Sequence, residues 1–467
     1  MRPLAPLMGL LVGVMSLVGC GGTRDEAFHD VNATLTERTG KTVHWNQGTD
    51  SDRQAEKAVA DLLAKPLTAD SAVQIALLNS PRLQALYEDL GVAQADLVQA
   101  GMLKNPVFQA QLNAFAVGPS LEFSLIQDFL DILYLPTRTR IASAALEATK
   151  SQVAGTVIGF AGDVRRTAYD VQASDQLIEM RRMILSGAAA SYDLSKRIHE
   201  AGNNTMLVLD RDRAMYEQAK LDLATAEAAA LDAHERLTAL LGVWGTATAW
   251  TMQPRMPDLP PIEPAMPDLE RQAVAASLDV QAAKQQIVVT THQYGLVSPY
   301  LPNVSLGADI QRDANGSWGL GPIGTVEIPI FNQGQGLSME AQAHLQRAWA
   351  LYASTAVDVR SAVRMAHHRV MAARQRAEYL HAVIIPLRQH IVGELQLHYN
   401  AMLTSAFELL QGKADEIEAG RDYLMAVHAY WIARSDLDQI LAGKIVRFTD
   451  VALDAPSSTT ASAPEGH

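Results

Sequence analysis

The side chains best suited to ligating a metal or carrying a covalent group are one cysteine, thirteen histidines and sixteen methionines. Their spacing assembles no chelating motif. His367 and His368 are adjacent, and neighbours in a helix point to different faces. His292, His344, His381, His390, His398 and His428 are scattered, with no His-x3-His pair and no cysteine-containing ligand set. No metal site is expected. The patterns of catalysis are missing as well: there is no phosphate loop, no Gly-x-Ser-x-Gly and no paired carboxylates in a compact domain. Gly316, Gly319, Gly321 and Gly324 resemble a phosphate cradle, but they lie between two alternating segments, where a turn or a tight strand contact explains them. The chain reads as a non-enzyme with no catalytic residue.

The single thiol, Cys20, does have a chemistry. Arg2 is followed by an apolar run, Leu4 to Val18, that is too short and too broken by Pro6 and glycines to span a membrane. It ends in Leu17-Val18-Gly19-Cys20, which resembles the lipobox at which a leader is cut before the cysteine. The thiol then takes a diacylglycerol and the new amine a third acyl chain. Residue 21 is Gly and not the Asp of inner-membrane retention, so the mature protein is expected to begin at Cys20 and reach the outer membrane. Three acyl chains hold firmly where one binds marginally. This covalent lipid on Cys20 is the only prosthetic group expected.

Elements must hold the rest of the chain around that anchor. The 467 residues are 48 % hydrophobic but only 6 % aromatic, a composition that favours long helices. A formal charge of −13 argues against nucleic acid as a partner. No stretch beyond residue 20 offers 18 uninterrupted apolar residues, so any membrane crossing must use strands.

The sequence repeats itself. Asn79-Ser80-Pro81-Arg82-Leu83-Gln84-Ala85 matches Ala276-Ser277-Leu278-Asp279-Val280-Gln281-Ala282, and Asn105-Pro106-Val107 matches Leu301-Pro302-Asn303-Val304. Glu200 to Leu207 matches Asn400 to Phe407, and Leu237 to Gly242 matches Leu437 to Gly443. Six prolines between Met252 and Pro267 form a joint. Each half is predicted to run short helix (about 69–79 and 268–277), second helix (81–103 and 279–298), two strands, then two very long helices. A helix from Thr137 to about Ala201 would extend roughly 95 Å. Pro386 should kink its counterpart in the second half, and Ser186-Gly187 should soften the first half at the same level.

Four segments alternate with period two: Pro106–Ala116, Leu121–Leu125, Val304–Gln311 and Gly324–Ile330. One face is apolar and the other polar, the pattern of a barrel strand between lipid and water and also of a half-buried soluble strand. Four strands cannot enclose a pore, since roughly eight are the minimum. Strands that span lipid here need several chains to share one barrel. The connections Val117-Gly118-Pro119 and Asp313-Ala314-Asn315-Gly316 are short, so little would project outside.

Order of elements, duplication and short motifs together resemble the TolC-like outer membrane factor family, over roughly residues 65 to 445. Glu327-Ile328-Pro329-Ile330-Phe331-Asn332-Gln333-Gly334 resembles that family's strand-to-helix transition, of which Asp128-Phe129-Leu130-Asp131 and Leu135-Pro136 are a degenerate copy. The hairpin motif is represented by Gly202, Thr205, Leu207 and Val208, and by Tyr399, Met402, Ser405, Phe407 and Glu408. Val208 stands where the family often has an acid, and Met402 where it often has Gly.

The resemblance implies a mainly α fold with a membrane β-barrel: a homotrimer with twelve strands on a periplasmic helical tunnel. It implies adaptor docking at a tip formed by Gly202, Asn203, Thr205, Tyr399, Met402 and Ser405. Asp210 and Glu408 are the gate candidates there, with Asp212 and Asp415 nearby. Glu122, Asp309 and Glu327 would line the lumen from the strands. The implied partners are outer-membrane lipid, a periplasmic adaptor and an inner-membrane, proton-driven pump.

The organisation expected is a lipoprotein signal peptide (1–19), a lipidated tether with a belt helix (20–66) and a first repeat (67–251). A linker (252–267), a second repeat (268–446) and a flexible tail (447–467) follow. Within 20–66, Gly21 to Thr49 reads as a polar tether and Ser51 to Pro66 as an amphipathic helix. The function expected is a passive exit duct for small solutes, drugs or metal ions, in a tripartite efflux system. The alternatives are a lipid-anchored periplasmic scaffold or binding protein without a pore, and a polypeptide-secretion duct of the same architecture.

Overall fold

The computed structural model describes residues 24–115, 118–128, 130–263, 266–297, 304–313 and 315–448. Cys20 with its leader, the tail from 449, Val117 and Ala314 lie outside these residues. The first half comprises α1 (Arg24–Thr39), α2 (Asp50–Leu63), α3 (Ala69–Asn79), α4 (Pro81–Ala100), β1 (Val107–Phe115), β2 (Gly118–Asp128), α5 (Leu130–Glu200) and α6 (Met206–Leu241). The second comprises α7 (Met266–Ala276), α8 (Leu278–Val297), β3 (Val304–Arg312), β4 (Trp318–Val326), α9 (Gln335–Tyr379), α10 (Ile385–Asn400) and α11 (Ala406–Ala442). The fold is mainly α and its plan is duplicated, as the sequence repeat implies.

α5 has 71 residues, which makes it roughly 105 Å long. It packs on α4, α6, α8 and α11, while α9 packs on α8 and α11. Each repeat therefore hands two helices to a shared bundle. Small buried residues line the seams, among them Ala144, Ala154 and Ala168 on α5 and Ala362, Ala366 and Ala377 on α9. Small side chains let helix axes approach closely over that length.

The repeat motifs mark a helix joint. α6 stops at Gly242, whose φ of +68 closes the helix in the left-handed region. A Cβ there would meet Pro81 Cδ at 2.6 Å, so the site needs glycine for space as well as for conformation. Asn79 Nδ2 donates to the carbonyls of Leu241 and Gly242, both at 3.0 Å, and so caps the helix end. α6 thus abuts the start of α4. The second half repeats the joint at Gly443, with φ +114, where Leu278 N donates to the Gly443 carbonyl at 2.8 Å. Ala276 occupies the place of Asn79 and cannot cap. Arg38 of α1 does so instead: its guanidinium donates to the carbonyls of Ala276 and of Ala442.

Four differences from the sequence reading have physical reasons. The stretch read as a polar tether contains α1. Ala27, Val31 and Leu35 recur every four residues and are buried, giving the helix an apolar stripe that its polar composition hides. α5 begins at Leu130 and carries Pro136 inside it, seven residues before the predicted start. Its first turn is pinned by the buried Asp131, which accepts from Lys104 N at 3.0 Å and Arg138 Nη1 at 2.7 Å. β4 is Trp318–Val326, not Gly324–Ile330. Its register runs from Arg312↔Trp318 to Val304↔Val326, so Gly319, Gly321 and Gly324 lie within the strand and Glu327 falls just beyond it. Finally, only the second half departs from α-helix at the level of Pro386. A π turn at Leu380–Ile384 precedes the proline, which lacks the N–H for the carbonyl four residues back. Ser186 and Gly187 lie within α5, which runs unbroken past them.

Candidate duct wall and docking tip

The four strands form one antiparallel sheet in the order β1-β2-β3-β4. Its register sorts the side chains by face. Gln109, Gln111 and Asn113 lie opposite Ser124, Glu122 and Ser120 of β2. Glu122 and Ser124 lie opposite Gln311 and Asp309 of β3. Glu122 and Asp309 therefore share the polar face, as the sequence reading expected. Glu327 has the same parity but stands outside the strand, so its place as a strand residue is corrected.

Phe108, Leu112, Leu125, Leu306, Ile310, Trp318 and Leu320 occupy the other face, and all are exposed. Leu112 is 67 % and Leu320 76 % exposed, whereas Ser120, Ser124 and Ser305 of the polar face are buried. This inverts the rule for a sheet in water. The sheet leaves its apolar side exposed and covers the serines of its polar side. At one end of the apolar face Arg312 stacks over Trp318 at 5.8 Å, the amphipathic pairing found where hydrocarbon meets headgroup. β1 and β4 are both edges, with backbone groups unpaired in a single chain.

At the opposite end of the long helices lie two reversals, α5–α6 and α10–α11. They are built alike. Gly202 has φ +77, and Gly202 N and Asn203 N donate to the carbonyls of His199 (2.8 Å) and Ile198 (3.0 Å). Met402 has φ +59, and Met402 N and Leu403 N donate to those of Tyr399 (3.0 Å) and His398 (2.9 Å). Around the turns Met206, Leu207, Met402 and Leu403 form an exposed apolar tip.

Residues 72–243 match the family profile described as outer membrane efflux protein. Over that segment, which holds the first repeat's helices and β1 and β2, the chain is similar to outer membrane efflux proteins. Its similarity to the cobalt-zinc-cadmium resistance protein CzcC of Cupriavidus metallidurans is 23 % identity over 391 residues, covering 81 % of this chain and 90 % of that one. Its fold is that of crystal structures of CusC, described as forming a transmembrane channel (TM-score 0.68, 17 % identity, 80 % of this chain and 92 % of that one). It is also that of the Campylobacter jejuni CmeC outer membrane channel (TM-score 0.69, 12 % identity, 90 % and 93 %).

The tip of this chain holds the expected residues in unequal ways. Ser405 caps α11, its Oγ accepting from Glu408 N at 3.2 Å, whereas the Thr205 side chain makes no such bond on α6. Asn204 ties the first turn down instead, donating to Ser195 O at 3.0 Å. Asn203, Thr205, Tyr399 and Ser405 are exposed. Of the gate candidates, Asp210 is exposed and Glu408 is held by the Thr404 hydroxyl. Asp212 is buried and bonded to Ser191 at 3.3 Å, and Asp415 is paired with Arg388 at 3.1 Å.

Met402 adopts a conformation that glycine takes freely and other residues at a cost of about 1–2 kcal/mol. Its side chain is 94 % exposed and has little packing to lose. Met402→Gly should therefore stabilise this turn by about 1 kcal/mol, read as about fivefold slower amide exchange at Leu403. Met402→Ala, which keeps the strain, should leave the exchange rate unchanged.

Three arginines at the lower bundle were not visible in the motifs. Arg181 of α5 reaches Glu418 of α11 at 2.6 Å and Asp222 of α6 at 3.7 Å, tying three helices together. Arg211 of α6 stacks over Phe407 of α11 at 4.4 Å, joining the two reversals. Arg388 holds α10 to α11 through Asp415.

Above them the linker is clamped rather than loose. The Glu263 side chain is 7 % exposed and meets Arg434 at 2.7 Å, Arg374 at 3.5 Å and the Tyr430 hydroxyl. Burial, and then Glu263, push the Tyr430 phenol well above its ordinary pKa. Burial likewise raises the carboxyl of Asp438, which pairs with Arg434 at 3.0 Å.

Proposed function

We propose that three copies of this chain close one twelve-stranded barrel in the outer membrane, above a helical tunnel in the periplasm, and that the assembly is the passive exit duct of a tripartite efflux system. The observation that carries this reading is the inverted sheet. A face of exposed phenylalanine, leucine and isoleucine opposite a face of serine, glutamine and carboxylates suits lipid outside and water inside. Its two open edges suit a shared barrel, because unpaired backbone groups cost several kilocalories each in hydrocarbon. No helix among the described residues is long and apolar enough to cross a membrane.

In this reading Glu122 and Asp309 line the pore and favour cations. The exposed tip receives a periplasmic adaptor, and an inner-membrane pump supplies the energy. Acyl chains on Cys20 give a second attachment to the outer membrane. The cargo is a small solute, and the likeness to a cobalt-zinc-cadmium resistance protein favours metal ions over drugs. A pore-free scaffold would leave the whole apolar face of the sheet against water.

Detergent-extracted protein should run as a heat-modifiable trimer and conduct ions in planar bilayers. A monomer that leaves the membrane without detergent once its acyl chains are removed would overturn the duct.

A further inference from the structure

Helix α10 carries a stripe that the duct as described does not use. His390, Glu394 and His398 follow one another at four-residue spacing, and all three are exposed. Each four-residue step rotates by only about 40° and rises about 6 Å, so the three share one helix face and consecutive side chains are within reach of one another. None of the three side chains has a hydrogen-bond or ion-pair partner among the described residues. Carboxylates on the facing helix are engaged: Asp415 with Arg388, Glu416 with Lys413, and Glu418 with Arg181 and Arg421. Read one by one, His390 and His398 look scattered. Glu394 between them gives two overlapping i, i+4 spacings.

We propose that this stripe is a weak, two-step ladder for divalent transition-metal ions. This names the cargo class of the proposed duct and rests on that reading. Imidazole with carboxylate suits ions of borderline softness such as Zn2+ and Co2+. Two side chains at i and i+4 on one helix face can share an ion, as paired histidines do for zinc. His390 and His398 stand about 12 Å apart along the axis, too far to bind one ion together. Among the described residues no three histidines, cysteines or carboxylates converge as a metal group. The ion is therefore held by His390 with Glu394, or by Glu394 with His398, with water completing its shell. It passes from one pair to the other while Glu394 keeps hold. Two protein ligands bind weakly enough to release, which conduction through successive sites requires.

Calorimetric titration of the detergent-purified full chain with Zn2+ tests the ladder. The wild-type isotherm should exceed that of His390→Ala/His398→Ala by a single ion per chain, and not by two, because Glu394 is shared. Either single histidine variant should keep that ion with about half the apparent affinity, and Glu394→Gln should weaken it about tenfold or more. All three positions are exposed, so an unchanged heat-modifiable trimer shows that each variant is folded. A double-variant isotherm that superimposes on the wild type overturns the ladder. KCl conductance in planar bilayers separates the two readings. Normal conductance with a superimposed isotherm overturns the ladder and leaves the duct standing. Absent conductance in the wild type overturns the duct, whatever the isotherm.

Discussion

Leu125→Arg should prevent the trimer from forming in the membrane. Leu125 lies on the central strand β2, opposite Phe108 and Ala308 on the apolar face, and half of its surface is exposed. An arginine facing the hydrocarbon midplane costs about 2–4 kcal/mol in each copy. Three copies in one barrel multiply that to about 6–12 kcal/mol, comparable with the whole stability of an ordinary domain. Heat-modifiable trimer on electrophoresis, and its recovery in the outer-membrane fraction, would show the loss. Gln111→Arg makes the matching control. Gln111 sits opposite Glu122 on the other face of the sheet. There a guanidinium meets water, so the trimer should persist while its preference for cations falls. Equal damage from the two changes would mean that the faces are not lipid and lumen, and the barrel reading would fail.

Glu263→Ala should loosen the joint between the repeats. Removing the carboxylate leaves Arg374, Arg434 and the Tyr430 hydroxyl facing one another in a site where Glu263 is 7 % exposed. Breaking a buried pair from one side costs about 3–5 kcal/mol. Both arginines keep some water, with side chains 17 % and 24 % exposed, so about 3 kcal/mol is expected. The thermal unfolding midpoint in detergent should fall accordingly. Glu263→Gln keeps an acceptor for the tyrosine and should lose less. The Tyr430 phenol, freed of the neighbouring charge, should titrate at lower pH than in the wild type. A midpoint unmoved by Glu263→Ala would mean that the linker does not hold the repeats together.

The contrast between these two sites shows what a sequence of this kind makes legible. β1, β2 and β3 announce themselves because their apolar and polar residues alternate, and the pairing observed preserves that alternation. β4 is displaced in the sequence reading because Gly319 and Gly321 stand opposite Gln311 and Asp309, where polar side chains would mark the second face. The reversals are legible because a turn is local: Gly202 and Met402 answer to the same geometry within five residues of chain. The long-range clamps are not. Arg181 and Glu418 are 237 residues apart, and nothing in either neighbourhood of the chain specifies the other. The linker shows the same limit. Its prolines predict a break in helix, but they say nothing of Glu263 among them, which closes an ion cluster whose members lie on α9 and α11. α1 was hidden differently, since three buried residues in sixteen are a stripe too thin to outweigh a polar composition.

The open edges of the sheet bear on how the protein is made. In lipid, the outer groups of β1 and β4 can find partners only on another copy of the chain. If three copies share one barrel, as proposed, insertion and assembly become one event with a reaction order of three. Halving the supply of chains would cut the yield of finished barrels about eightfold while trimers are scarce. Biogenesis would show a threshold: few barrels at low synthesis rates, then a steep rise. An acyl anchor at Cys20 would confine waiting chains to a membrane surface, and the gain in local concentration would lower that threshold.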